Sequence, residues 1–340
     1  MMTQRLQKEV RQSNFELLRI VAMFLVLVLH SNFIVLGSPT STEISTEPLS
    51  SFARIFTQSA SVICVNVFVL ISGWFAIRPK AESFCRFIFQ CLFFSFGIYA
   101  VALLCKTAPL SPQGLKTCIP DWFPIAYIGL YIMSPVLNAF IDQATPRKLG
   151  LTVLFFYIYS TLFGLTTVAH DFERGYSLIS FMGLYMLGRY VHLYPLKIFR
   201  LNKKYDLLIY VALTLLCTLS AFLPSIVGLP DKWGNLILIY GLSYLYPPII
   251  LSALYLLLFF SKLHFTNKAV NWVAASCFAV YLLHTNDNIF PIYLAPRIQH
   301  DATLGALPHI FYNFLLIVIV YVVAILIDKI RLLLWHKMWH

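Results

Sequence analysis

Apolar residues fall into ten stretches of bilayer-crossing length, at 16–36, 59–77, 84–105, 121–141, 149–169, 177–194, 206–227, 235–260, 269–290 and 308–328. About 20 apolar residues wound as an α-helix cross the ~30 Å hydrocarbon layer, so each stretch predicts one crossing. Polar or Pro-rich breaks separate them, and the gaps leave no room for a soluble domain. The pattern predicts an all-α, polytopic membrane bundle of about ten helices, a single domain over residues 1–340, with both termini on one side.

Composition narrows the class. The chain is 59% hydrophobic and only 11% charged, with a mean hydropathy of +0.78. Soluble domains carry roughly a quarter charged residues. A disordered chain, a nucleic-acid-binding domain and almost any soluble enzyme are thereby excluded, and membrane lipids are the expected surroundings. The net charge of +11 sorts by loop. With the N-terminus inside, Arg5, Lys8, Arg11, Arg19, Arg78, Lys80, Arg86, Arg147, Lys148 and Arg189 fall on the inner side. So do Lys197, Arg200, Lys203, Lys204, Lys262, Lys268, Lys329, Arg331 and Lys337. Only Arg54, Lys106, Lys116, Arg174, Lys232 and Arg297 fall outside, the bias of the positive-inside rule. Both termini are therefore expected to be cytoplasmic. Seven cysteines form no C-x-x-C pair and no metal spacing, so no metal is expected. Cys105 and Cys118, which flank an outer loop, are expected to pack rather than pair. No internal repeat stands out, which weakens an inverted-repeat transporter reading.

Ionisable groups within spans are costly and mark candidate sites. The first span holds Glu16, Arg19 and His30. Eleven residues separate Arg19 from His30, about three turns plus roughly 20° and ~16 Å of rise, so both leave one helix face. Met23 and Leu27 lie between them, so these are two separate contacts and not a polar stripe. The plain alternative for Arg19 is a snorkelling side chain paired with Glu16. In the fourth span Tyr127, Tyr131, Ser134 and Asn138 share a face. In the ninth, Ser276, Tyr281, His284 and Asn288 do so, followed by Asn286 and Asp287. Counted from the inner surface, His30 and His284 reach the same depth, which predicts a shared outer cavity. Arg19, Arg86 and Arg189 share a shallow inner depth that suits either phosphate or ordinary interfacial anchoring.

The segment N-F-E-L-L-R-I-V-A-M-F-L-V-L-V-L-H (14–30) resembles the first span of the acyltransferase 3 family of integral membrane acyltransferases, with its Arg-x10-His pattern. Three more stretches agree in order: N-V-F-V-L-I-S-G-W-F (66–75), D-W-F-P-I-A-Y-I-G-L-Y-I-M-S-P-V-L-N (121–138) and F-A-V-Y-L-L-H-T-N (278–286). Together with the ten-span plan they resemble the O-acetyltransferases of bacterial surface polysaccharides. The resemblance implies a protein of the bacterial inner membrane that takes an acyl group, most simply acetyl from acetyl-CoA, to a sugar hydroxyl. The acceptor would be a lipid-linked or surface polysaccharide or a glycolipid. His30 would act as general base, or as the bearer of an acyl group, with Arg19 as its partner in the motif. Arg19, Arg86, Arg189, Lys80 and Arg78 would hold the acyl-CoA. The strongly basic stretch that family members often carry after the second span is reduced here to Arg78, Lys80 and Arg86. Ser72, Tyr131, Asn138, His284 and Asn286 would bind substrate or orient the imidazole. The alternative is a carrier or flippase for a lipid-linked saccharide, for which Pro247-Pro248 is the only hint of a broken helix.

Overall fold

The computed structural model describes residues 11–165 and 170–339, and among them every regular element is a helix. Arg5 and Lys8, and the last residues of the 149–169 stretch, lie outside the described residues. In chain order the helices are α1 (Ser13–Leu29), α2 (Ser41–Thr46), α3 (Pro48–Ser61), α4 (Cys64–Phe75), α5 (Ala81–Leu104) and α6 (Pro112–Lys116). They continue with α7 (Trp122–Gln143), α8 (Pro146–Tyr159), α9 (Leu178–Leu193), α10 (Lys203–Ile226) and α11 (Asp231–Gly241). The last are α12 (Pro247–Ser261), α13 (Lys268–Ala274), α14 (Cys277–His284), α15 (Ala295–Ala302) and α16 (Ala306–Trp339).

Six helical segments are long and apolar enough to cross a membrane: Ser13–Ile34, Pro48–Phe75, Ala81–Leu104, Trp122–Gln143, Lys203–Ile226 and Ala306–Met338. Local chemistry explains their starts. Asp121, Thr145, Ser177, Asn202 and Asn267 each accept a backbone N–H of the first turn of the helix they precede. Pro48, Pro146 and Pro247 occupy first-turn positions, where a missing N–H costs nothing.

Two predicted spans are broken where continuous helices were expected. The 235–260 stretch divides into α11 and α12 at residues 242–246, immediately before Pro247-Pro248. Neither proline can donate to the preceding turn, so the helix restarts there. The 269–290 stretch divides into α13 and α14 and ends at His284, with a non-helical loop beyond it. The 308–328 stretch is instead longer than expected. At 1.5 Å per residue the 34 residues of α16 reach ~51 Å, so the helix overshoots the hydrocarbon layer.

Hydrogen bonds tie the helices at two ends. At one, Asn14 Nδ2 donates to Phe260 O and Ser13 Oγ to Asn271 Oδ1, which sets the start of α1 beside α12 and α13. Lys262 bridges to the buried Asp206 at the start of α10, and Lys329 Nζ donates to Trp272 O. This is the Arg19 end. At the other, the His30 end, Asn66 Nδ2 donates to Tyr244 O, Ser243 Oγ to Arg174 O and Asn288 Nδ2 to Thr117 Oγ1.

The core lies along α1, α4, α9, α12 and α14. At Gly73 and Gly188 the α4 and α9 backbones come so close that a Cβ would sit 2.2 Å from Tyr185 O and 2.5 Å from Leu70 O, respectively. Small residues permit that approach, the usual basis of tight helix pairs in lipid. Large apolar side chains such as Leu307, Ile310, Phe311 and Leu333 stand exposed along α16. In water such a surface would drive aggregation; in a bilayer it meets acyl chains. Arg331, counted from sequence among the inner-side charges, is only 2% exposed and paired with Asp328, which also accepts from Gln90 Nε2. Cys105 and Cys118 are both free thiols.

Candidate active site

Helix α1 carries Arg19 near its start and delivers His30 where the helix widens into a π-turn, His30–Ile34. Such single wide turns recur at functional positions because they re-aim side chains without ending the helix. Here they send three consecutive residues to three partners. His30 Nδ1 lies 3.0 Å from His284 Nε2 at the end of α14. Ser31 Oγ accepts from Asn313 Nδ2 of α16 at 3.0 Å, and Asn32 Nδ2 donates to Arg54 O of α3 at 2.8 Å. The two histidines predicted to share a depth are thus in direct contact.

The second histidine orders the first. His284 is fully buried, and its Nδ1 lies 2.6 Å from Val280 O. A carbonyl only accepts, so His284 Nδ1 carries the proton. With both rings neutral, His284 Nε2 then accepts from His30 Nδ1–H, which leaves the lone pair of His30 on Nε2. One backbone carbonyl therefore sets the tautomer of both rings. On the far side of His284, Tyr281 packs edge-on with ring centroids 6.0 Å apart, and its hydroxyl donates to Asp121 Oδ2 at 3.0 Å. The Asp121 carboxylate also accepts from Trp122 N at the start of α7. A carboxylate therefore lies one side chain beyond His284.

Two small cavities adjoin these residues. One, about 20 Å³, is lined by Met23 and Val26 of α1 with Phe68, Phe123, Phe278 and Tyr281, in the stretch of α1 between Arg19 and His30. The other, also about 20 Å³, touches His30, Ser31, His284 and Asn313. A larger apolar cavity of about 400 Å³ opens beside α5 and α16, lined by Gly97, Val101, Leu283, Ile289, Tyr293 and Ile327 among others.

The remaining sequence candidates separate into two groups. Asn286 stays near His284, where its Oδ1 accepts from Asn288 N and Nδ2 and steadies the loop after the histidine. Ser72, Tyr131 and Asn138 lie with the Arg19 end instead. Ser72 Oγ pairs with Tyr127 Oη at 3.1 Å. Tyr131 Oη accepts from Lys80 N and donates to Lys80 O, and Asn138 Nδ2 donates to Ile77 O. Tyr185 Oη accepts from Ile77 N and donates to Asn138 Oδ1. Tyr131, Asn138 and Tyr185 thus hold the crossing between α4 and α5, Ser72 ties α4 to α7, and none of these bonds reaches the imidazoles. That crossing carries Arg78 and Lys80, both exposed, with Arg86 exposed on the second turn of α5. Arg189 donates to Trp74 O beside the same crossing, and Trp74 packs on Phe15 of α1. Arg19 pairs with Glu16 at 2.7 Å, the plain alternative anticipated for it, and is still one-third exposed. The basic residues therefore share one end, each held by a local partner or open to the surface.

Sequence reasoning missed Asp121 and Asn313. Asp121 is an ordinary helix-capping residue by pattern, and its second contact is visible only in three dimensions. Asn313 had a signal, as a lone amide near the start of an otherwise apolar stretch.

Neither a curated protein nor a solved structure matches the chain. A family model described as an acyltransferase domain matches residues 12–329, nearly the whole length, and covers both histidines and the basic end. A match of that extent shows that the chain belongs to the acyltransferase 3 family.

Proposed function

We propose that the protein transfers an acyl group, most simply acetyl, from acyl-CoA on the cytoplasmic side of a bacterial inner membrane to a sugar hydroxyl of a surface polysaccharide or glycolipid. The observation that carries this reading is the His30–His284 hydrogen bond, anchored on Val280 O, which leaves His30 Nε2 unprotonated. In this mechanism the acceptor hydroxyl oxygen attacks the thioester carbonyl carbon while its proton passes to His30 Nε2. The C–S bond then breaks, the thiolate takes that proton from His30, and an ester and free CoA leave. His284 holds the imidazolium through Nε2, and Asp121 offsets its charge. Orienting a base in this way contributes typically 10²–10⁴-fold to rate.

The donor side rests on spacing. The anionic nucleotide end of CoA would lie against Arg19, Arg189, Arg86, Arg78 and Lys80, with its pantetheine arm running along α1. The ~16 Å of helix between Arg19 and His30 is comparable to that arm. The small cavity at Met23, Val26, Phe68 and Phe123 lies on that line, and these side chains would part to admit the arm. With about ten crossings, both termini and the basic end face the cytoplasm. The alternation of connections between the Arg19 end and the His30 end supports that count.

The test is transfer itself. Purified protein in lipid nanodiscs, given [14C]acetyl-CoA and cell-surface glycan extracts, should produce labelled glycan that mild base releases as acetate. Glycan masses from cells with and without the protein should differ by acetyl increments. Unlabelled glycan together with unchanged masses would refute the reading.

A further inference from the structure

Buried polar groups are nearly always paired, so those that are not ask for an explanation. Three such atoms lie at the His30 end on two helices: Arg54 Nε of α3, and His309 Nδ1 and Asn313 Oδ1 of α16. His309 and Asn313 are four residues apart, one turn along a single face. Arg54 and Asn313 meet the end of α1 at adjacent residues, since Asn32 Nδ2 donates to Arg54 O and Asn313 Nδ2 to Ser31 Oγ. Asn313 also lines the cavity that touches His30 and His284.

The orientation of the Asn313 amide follows from its neighbours. Ser31 Oγ donates to Val28 O at 3.0 Å, so toward Asn313 it can only accept. The Asn313 amide nitrogen is therefore the atom at Ser31, which turns Oδ1 away as an acceptor with no donor. The adjoining cavity of about 20 Å³ holds one water-sized oxygen. A single hydroxyl fits it beside His30, and the rest of the acceptor must continue past Asn313 toward His309 and Arg54.

We propose that Asn313, with His309 and Arg54 beyond it, forms the acceptor subsite, and that Asn313 Oδ1 receives a hydrogen bond from a hydroxyl adjacent to the one that His30 deprotonates. The substrate class is then a polyol with vicinal hydroxyls, entering from the His30 end. The inference rests on the acyl-transfer reading above and adds to it the feature by which the acceptor is recognised. Asn313 touches the substrate but not the reacting atoms, so it is a specificity-determining residue. A site built to bond a hydroxyl discriminates strongly against an analogue lacking it, because the buried acceptor is then left empty.

The experiment uses the full chain in nanodiscs with acetyl-CoA and two probe acceptors, trans-cyclohexane-1,2-diol and cyclohexanol. Wild type should favour the diol in kcat/KM by at least about fivefold, the lower value expected for one unpaired buried group. Asn313→Leu should bring the ratio close to one. Ser31→Ala, which frees the amide to turn while leaving Oδ1 present, should give an intermediate ratio. A wild type without preference, or a preference that survives in Asn313→Leu, overturns the subsite. If wild type acetylates neither probe, the acyl-transfer reading fails for these acceptors, and binding decides the subsite alone. Methyl α-D-glucopyranoside should then raise the thermal unfolding midpoint of wild type and of Ser31→Ala but not that of Asn313→Leu. No rise in wild type, or an equal rise in Asn313→Leu, overturns it.

Discussion

Replacing His284 with alanine tests the pairing of the two imidazoles without removing the base. The substitution takes away the nitrogen that accepts from His30 Nδ1 at 3.0 Å and leaves that N–H without a partner. An unsatisfied buried donor costs about 1–3 kcal/mol. If that cost falls on the geometry in which Nε2 meets the hydroxyl, turnover drops about 5- to 150-fold, since 1.36 kcal/mol is a factor of ten. The loss should appear in kcat with acetyl-CoA in excess, and KM for acetyl-CoA should stay within about twofold, because the residues proposed to hold the CoA nucleotide lie at the other end. His284→Ala also opens a hole in a fully buried site, so its thermal unfolding midpoint must be measured alongside. His284→Gln separates the effects: its amide oxygen can accept from His30 Nδ1 and should recover at least half of the lost activity in logarithmic terms. Two outcomes would sink the argument. One is His284→Ala turning over within twofold of wild type. The other is an inactive His284→Gln that remains folded.

Other parts of the structure make separate forecasts. His30→Ala should abolish transfer while CoA binding by isothermal titration stays near wild type, and Arg19→Ala should chiefly weaken that binding; the reverse pattern would reassign both residues. Asp328→Ala would strand Arg331, 2% exposed, without its counter-ion. Breaking a buried pair costs about 3–5 kcal/mol, so its thermal midpoint should fall clearly, and the paired change Asp328→Leu with Arg331→Met should recover much of the loss. Gly188→Ala places a Cβ 2.5 Å from Leu70 O, a backbone atom that cannot step aside, and overpacking of this kind costs roughly 1–3 kcal/mol, read as a lower thermal midpoint. At the His30 end, backbone and side-chain hydrogen bonds from Thr40 hold the Glu43 carboxylate below its usual pKa of 4.5. A depressed carboxylate stabilises α2 above the unfolded value and loses that contribution as pH falls through the folded one. Hydrogen exchange over residues 40–47, corrected for intrinsic rates, should therefore rise below about pH 4.5 in wild type and be flat in Glu43→Gln.

How much of this was legible in the sequence depends on what kind of partner each residue has. Helix starts were readable because capping and proline positions are local. The encounter of His30 with His284 was readable because both are costly to bury and sit at one depth. Tyr131 and Asn138 were misplaced for a specific reason. A polar stripe shows which residues share a face, but their partners at Lys80 and Ile77 are backbone atoms, which leave no side-chain pattern. The π-turn at His30 was hidden likewise, since V-L-H-S-N-F-I reads as a straight apolar helix end. Arg331 counted only as one more inner-side charge, and its buried pairing with Asp328, which also accepts from Gln90, shows only in three dimensions.

The π-turn also bears on how such an enzyme diversifies. His30, Ser31 and Asn32 engage α14, α16 and α3 in succession, so the end of α1 is keyed against rotation much as a splined shaft is. The start of α1 is fastened separately, through Ser13 and Asn14 to α13 and α12. On the proposed reading, changes on α3 or α16 away from these contacts would reshape the acceptor mouth while α14 still holds His30. Changes around the arginines would then alter the proposed donor end without disturbing that mouth. On the proposed reading, a helix locked at both ends in this manner would let one reaction serve more than one acceptor.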